Sequence, residues 1–168
     1  MMNSGVLAGL VLLTSSVAVA SGNEFQVRSL AGKVPAAPHD PYDSRDEGIC
    51  KGEGSAADSA EEKVLVGAGW IPFFATQQAG GTRVVTAASS QDGQCRPVGL
   101  TVFVFRDGRA VGMIRPREST AVPEPSLKNA GALVVNMDYW GPDDAHCCPS
   151  KHTSIVVVIG EHGITHSE

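Results

Sequence analysis

The residues best suited to chemistry in this chain of 168 residues are its four cysteines, Cys50, Cys95, Cys147 and Cys148. Thiolates bind metals or attack electrophiles, whereas oxidised cysteines form disulfides that stabilise a fold. Four cysteines allow three pairings. Neighbouring Cα atoms are only about 3.8 Å apart, below the usual disulfide range of about 4.4–6.8 Å. We therefore favour separate bridges from Cys147 and Cys148 to Cys50 and Cys95. A bridge within the adjacent pair, which would leave Cys50 with Cys95, is the alternative.

The N-terminus predicts an oxidising compartment for these cysteines. Residues 6–20 are uncharged and largely apolar, and they end in Ala18-Val19-Ala20, a pattern that signal peptidase accepts. Gly, Ser and Thr interrupt this run, which is shorter than the roughly 20 apolar residues of a membrane span. We expect a cleaved signal peptide over 1–20 and a secreted or periplasmic mature protein without a membrane span. Because the first five residues lack Lys and Arg, a retained anchor or a buried N-terminal helix stays open.

Two histidines near the cysteine pair are candidate metal ligands. His146 precedes Cys147 and His152 follows Cys148 by four positions, and imidazole and thiolate groups suit zinc or copper. An oxidised cysteine is no longer a thiolate ligand, so we favour disulfide cysteines in a polar loop. We expect no metal or other cofactor. A periplasmic metal-binding or thiol-redox accessory protein is the alternative function.

A second histidine pair lies near the end of the chain. His162 and His166 are four positions apart and would share a face of a helix. Gly163 and the nearby chain end favour a frayed tail instead.

Several arginines cluster around one predicted hairpin. Arg96, Arg106 and Arg109 are candidate ligand-binding residues, with Arg115 and Arg117 close behind them. Guanidinium groups bind carboxylates and other anions in a bidentate manner, so an anionic envelope glycan or a partner carboxylate would suit them. The alternative, which we favour, is that these charges protect an exposed strand edge from pairing with other chains.

Composition and motifs exclude several function classes. A net charge of −5 and a pI near 5.5 are unlike those of nucleic-acid-binding proteins, which need a basic face. The chain contains no Gly-x-Ser-x-Gly, no His-Glu-x-x-His and no phosphate-binding loop. Glu61 and Glu62 are consecutive on a predicted helix and face different directions. We therefore expect no catalytic residues and predict a binding or structural module rather than an enzyme.

The elements that position these residues follow from local patterns. Residues 55–66 predict a helix capped by Asp58 or Ser59. Strands are predicted over 82–88, 99–106, 109–114, 132–139 and 154–160, with Asp107-Gly108 as a two-residue hairpin turn. We expect an α+β fold in which one helix packs on an antiparallel sheet of about five strands, stabilised by disulfides. The predicted organisation is a signal peptide over 1–20, a Pro-rich leader over 21–47 and one domain over 48–168.

Several short motifs together resemble the LppP/LprE family of bacterial envelope proteins. They are Gly69-Trp70, then Asp92-Gly93-Gln94-Cys95-Arg96-Pro97, then the hairpin 103–109 with Gly112 and Pro116, and finally Cys147-Cys148-Pro149-Ser150. The resemblance covers residues 48–164 and implies an exported or lipid-anchored protein without an assigned activity. This chain lacks the lipidation cysteine of the lipoprotein members and carries Met113 where relatives have a small hydroxylated residue. We expect an envelope component or another protein as its partner.

Overall fold

The structure is a computed structural model that describes residues 24–44, 50, 54, 56–117, 121–141, 143–144 and 148–167. The described residues form one short helix and twelve strands. In chain order they are β1 Phe25–Gly32, α1 Ala60–Gly67, β2 Ile71–Pro72, β3 Gln77–Ala79, β4 Thr82–Ala88, β5 Ser90–Gln91, β6 Pro97–Val98, β7 Thr101–Arg106, β8 Arg109–Pro116, β9 Val122–Asn129, β10 Ala132–Tyr139, β11 Lys151–Ile159 and β12 Ile164–Ser167.

Two antiparallel sheets dominate the architecture. The first, here called the central sheet, has the strand order β1-β8-β7-β4-β2, with β3 also paired to β4. The second, the outer sheet, has the order β12-β11-β10-β9, and β5 pairs with β6 in a small third sheet. In the β7–β8 hairpin, Asp107 and Gly108 have φ values of 48° and 77°, as the predicted two-residue turn requires.

The central sheet is buried on both faces. Val84 of β4 and Val104 of β7 point into a core shared with the outer sheet, which contributes Leu133 and Val157 among others. The next residue along β4, Val85, points to the opposite face. Since side chains alternate along a strand, burial of both faces explains why β4 and β7 read as nearly continuous apolar runs.

The second core lies between the central sheet and the helix. Leu65 of α1 packs there with Phe103, Phe105 and Trp70, and the Trp70 ring meets the Phe103 ring edge-on at 4.8 Å. Trp70 Nε1 also donates a hydrogen bond of 2.8 Å to the carbonyl oxygen of Pro35. The chain segment before the helix is thereby attached to the same face.

The predicted α+β fold with one helix on a five-stranded sheet is wrong. Each of the five predicted strands overlaps an observed strand, namely β4, β7, β8, β10 or β11. These strands belong, however, to two different sheets that pack face to face. The strands at 132–139 and 154–160 do not extend the first sheet, because β9 and β12 flank them on either side. The fold is mainly β, and α1 covers only part of one face of the central sheet.

Two side chains close the edges between the sheets. Ser29 Oγ on β1 accepts from the Ile164 N–H at 3.0 Å and donates to the Ile164 carbonyl oxygen at 2.9 Å. On the opposite side, Gln77 Nε2 donates to the carbonyl oxygen of Pro125 at 2.6 Å and Gln77 Oε1 accepts from the Leu127 N–H at 2.7 Å. Each side chain takes the place of a strand residue, so backbone groups at both edges are satisfied within the molecule.

Candidate functional site

An open cleft of about 550 Å³ lies where α1 begins and the chain approaches β3. It is lined by residues from α1, from the segment before it, from the segment before β3 and from β4. These residues are Ala56, Asp58, Ser59, Glu62, Phe74, Ala75, Thr76 and Arg83. A cleft with mixed polar and aromatic walls is a reasonable candidate for a ligand site.

The floor of the cleft is organised by the cap of the helix. Ser59 is the N-cap, and its side chain accepts a hydrogen bond from the Glu62 N–H at 3.2 Å. The Glu62 carboxylate accepts in return from the backbone N–H groups of Ser59 and Asp58, at 2.8 and 3.0 Å. The Thr76 hydroxyl donates a hydrogen bond to the other oxygen of the Glu62 carboxylate. This reciprocal capping box therefore fixes both the start of α1 and the approach to β3.

The charge of Glu62 is stabilised by this arrangement. Burial, which leaves Glu62 6% exposed, opposes ionisation, but the hydrogen bonds from Thr76, Ser59 and Asp58 outweigh it and lower the pKa. Glu62 is thus a fixed anion whose oxygens already have partners. A carboxylate with a lowered pKa is a poor general base, since efficient bases have pKa values near the working pH.

The rim of the cleft carries an aromatic ring and a cation. Phe74 is 42% exposed, and its ring meets the Phe73 ring at 6.3 Å in a T-shaped contact. Arg83 Nε lies 3.3 Å from Glu61 Oε2, and Arg83 Nη2 donates to Gln78 Oε1 at 2.8 Å. Arg83 also lines a smaller cleft of about 190 Å³ beside the β7–β8 turn. Its guanidinium is therefore oriented by two neighbours at the boundary of both clefts.

The structure pairs Cys50 with Cys95, with Cα atoms 5.4 Å apart. The favoured prediction of separate bridges from Cys147 and Cys148 to these two residues is therefore wrong. Cys95 has a φ of 61° in the tight turn between β5 and β6, and this turn brings it to the buried Cys50. Cys148 is exposed, and Cys147 lies outside the described residues.

The three predicted ligand-binding arginines lie at different places. Arg96 forms an ion pair with Asp92 in the β5–β6 turn, at 2.6 Å from Nη2 to Oδ2, and its hydrogen bonds lower the pKa of Asp92. Arg106 donates to the Ala130 carbonyl oxygen at 2.6 Å, joining β7 to the β9–β10 turn. Arg109 is exposed at the hairpin end. A role for them in ligand binding stays a prediction.

The histidines divide between described and undescribed parts of the chain. His152 Nδ1 lies 2.5 Å from Asp138 Oδ1 on the exposed face of the outer sheet, whereas His146 lies outside the described residues. His166 pairs with Val157 in β12, where a frayed tail was expected. Within the described ranges, no three His, Cys, Asp or Glu side chains converge where a metal ion would fit. The alternative metal or thiol-redox function stays a prediction.

Sequence patterns indicated the helix cap but not the cleft. Ser59 followed by Glu62 is a recognisable capping box, and Ser59 was one of the two predicted caps. The Phe74 ring is partly exposed, whereas the nearby Trp70 ring is buried in the core, and the sequence does not distinguish these two aromatic residues. No local signal shows that Arg83, on β4, comes beside the start of α1, because that contact depends on tertiary packing.

Comparison with known proteins shows a family resemblance over just under half of the chain. Residues 76–157 match the family model described as LppP/LprE lipoprotein. This match confirms the resemblance predicted from the sequence, and the family it points to is one of envelope-associated lipoproteins. No curated protein and no solved structure matches the chain significantly. In the part of the chain that the structure describes, no helix is both long and apolar enough to cross a membrane. The predicted signal peptide, 1–20, lies outside the described residues.

Proposed function

We propose that this LppP/LprE family protein is a non-catalytic binding module of the bacterial envelope, exported to the periplasm or beyond, that holds a glycan in the cleft beside α1. The observation that carries the proposal is the exposed Phe74 ring at the rim of a cleft that also presents Asp58 and Arg83. Sugar rings combine an apolar C–H face with a rim of hydroxyls, so they bind to aromatic faces flanked by planar hydrogen-bonding groups.

The geometry of the cleft supports binding rather than catalysis. Its one buried carboxylate, Glu62, is occupied by three donors and has a lowered pKa, so it serves as a structural anion. The floor is rigid because Ser59 and Thr76 hold that carboxylate on two sides. A rigid floor lowers the entropic cost of binding a ligand. The open shape suits a segment of a longer polymer better than a small enclosed substrate.

The envelope association of the family supports the choice of ligand class. Glycan polymers are abundant in bacterial envelopes, and a chain with net charge −5 gains nothing from electrostatic attraction to a polyanion. We therefore favour neutral or zwitterionic sugar segments over highly anionic ones. The contact would depend on stacking and hydrogen bonds, so we expect affinity to change little with salt.

The test is co-sedimentation of the purified, oxidised protein with insoluble cell-wall fragments, followed by calorimetric titration with soluble fragments released from them. Phe74→Ala should weaken binding roughly tenfold, equivalent to about 1.4 kcal/mol. The matched control is Tyr42→Ala, which removes another exposed aromatic ring, 86% exposed and not part of the cleft lining. Wild-type sedimentation at background level, or equal binding by Phe74→Ala and wild type, would contradict the proposal.

A further inference from the structure

The outward face of the outer sheet carries exposed valines. Val156 and Val158 of β11 are 45% and 51% exposed, and Val134 of β10 lies opposite Val156. Alternation along the strands places every second residue on this surface. We call it the valine face; its central residues are Ala132, Val134, Asn136 and Asp138 of β10 and His152, Ser154, Val156 and Val158 of β11.

Register arranges these residues in four rows across the two strands. The rows pair Asp138 with His152, Asn136 with Ser154, Val134 with Val156 and Ala132 with Val158. The first row holds an acid and a base, whose Oδ1 and Nδ1 atoms are 2.5 Å apart. The second holds two hydrogen-bonding side chains, and the last two are apolar. In every row the residue on β10 is therefore chemically complementary to the residue on β11.

We propose that the valine face binds the same face of a second copy of this chain, about a two-fold axis parallel to the strands between β10 and β11. Such an axis exchanges β10 with β11 but keeps each row at its own level. Val134 then faces Val156 of the second copy and Asp138 faces its His152. Because complementarity already exists within each row, the same pairs recur between the copies, and no charge faces a like charge in the first row.

The size of the face sets the strength of this contact. Four strands about 4.8 Å apart span about 19 Å, and the four rows span seven residues of β10, or about 23 Å at a rise of about 3.3 Å per residue. The face therefore covers roughly 450 Å² per copy. The total of roughly 900 Å² is below the ~1,200 Å² of stable complexes. The dimer is therefore weak and depends on concentration. A second copy fits better than a lipid surface, because hydrocarbon would face all four rows, and two of these rows carry polar or charged side chains.

Two charge variants test this arrangement. Asp138→Lys removes the acid from the first row, and His152→Glu makes that row wholly acidic. Each variant alone removes the contact between an acid and a base across the two-fold axis, so its dissociation constant should rise about tenfold, equivalent to about 1.4 kcal/mol. A 1:1 mixture places opposite charges across the axis and should restore the dimer as a heterodimer. The matched control is Lys63→Glu, a charge reversal on the exposed side of α1.

The measurement is sedimentation equilibrium from about 10 μM to about 1 mM at low salt, where weak contacts of this size become populated. Circular dichroism checks that each variant is folded. A wild-type protein that stays monomeric throughout, or a mixture that associates no better than each variant alone, would overturn the proposal. The proposal would also be overturned if the wild-type protein did not self-associate but bound lipid vesicles, and if Val156→Asp lost that binding. None of these results bears on binding of cell-wall fragments by the cleft.

Discussion

Substitution of Gly112 tests how the two main sheets pack. A Cβ atom at this position in β8 would lie 2.3 Å from Cγ1, 2.4 Å from Cδ1 and 2.8 Å from Cγ2 of Ile164 in β12. Ile164 is 4% exposed, and the Ser29 hydroxyl holds both of its backbone polar groups. Because Ile164 has little room to move, Gly112→Ala should destabilise the protein by about 1–3 kcal/mol, the usual cost of overpacking.

A double-mutant cycle separates this packing from a general effect on strand propensity. Ile164→Ala alone leaves a cavity and should cost about 2–5 kcal/mol. With both substitutions, the methyl group at position 112 occupies space that Ile164 has vacated. The double variant should therefore be at least about 1 kcal/mol more stable than the sum of the two single effects predicts. Gly93→Ala is the matched control, since a Cβ there meets no atom within 4 Å.

The assay is urea unfolding followed by tryptophan fluorescence, to which the buried Trp70 and the partly buried Trp140 contribute, with the slope of the transition compared between variants. Equal slopes would show that the free energy of unfolding, not the compactness of the unfolded state, has changed. Effects of Gly112→Ala and Ile164→Ala that add within about 0.5 kcal/mol would refute the argument, because residues that are not in contact are usually additive.

Four further predictions concern the cap, the disulfide and the edge between the sheets. Ser59→Ala should cost about 1 kcal/mol in urea unfolding. Because the pKa of Glu62 lies below its ordinary 4.5, its stabilisation is present above that value and lost as pH falls through the folded pKa; Glu62→Gln should flatten this loss in acid titrations. Cys50→Ser should lower stability by about 2–4 kcal/mol, and non-reducing peptide mapping of wild type should recover the peptide linking Cys50 to Cys95. Gln77→Leu should cost about 1–3 kcal/mol by leaving two backbone groups of β9 unpaired, and hydrogen exchange at the Leu127 amide should accelerate.

Elements with strong local signals were predictable from the sequence. The Asp107-Gly108 turn forms as its two residues require, and Ser59 caps α1 as one of the two predicted residues. The strand over 82–88 is found with the predicted bounds. In each case neighbouring residues determine the local conformation, so tertiary contacts add little information.

The assignment of strands to sheets was not predictable in the same way. β9 contains Pro123 and Pro125, which lower the strand signal although prolines are acceptable on an edge strand. β12 is short, and the chain end beside Gly163 favoured a frayed tail. Without these two strands, the patterns of β10 and β11 predict that they belong to the first sheet. With them, a second sheet is complete, and it covers the face of the central sheet opposite the helix.

The disulfide pairing depends on which distant segments of the chain meet. The short distance between adjacent cysteines disfavours a bridge between Cys147 and Cys148, and it therefore favoured these two as partners of Cys50 and Cys95. Covalent geometry does not determine, however, which distant segments lie together in the fold. The β5–β6 turn, whose two strands have only two residues each, brings Cys95 to Cys50, and so short an element has no detectable periodicity.

The residues that line the cleft come partly from the segment that matches the family model and partly from the segment before it. Thr76 and Arg83 lie within the matched residues 76–157, whereas Glu62 and Phe74 precede them. The matched segment therefore supplies the cation and one donor to the floor, and the preceding segment supplies the anion and the aromatic ring. If the cleft binds a glycan, Arg83→Lys should weaken hydrogen bonding while leaving stacking intact, because lysine keeps the charge but not the planar bidentate donor. Phe74→Ala should do the reverse, so the two losses in binding free energy should be nearly additive in a titration. Strong coupling between them would indicate that the two parts of the cleft do not contact separate groups of one ligand.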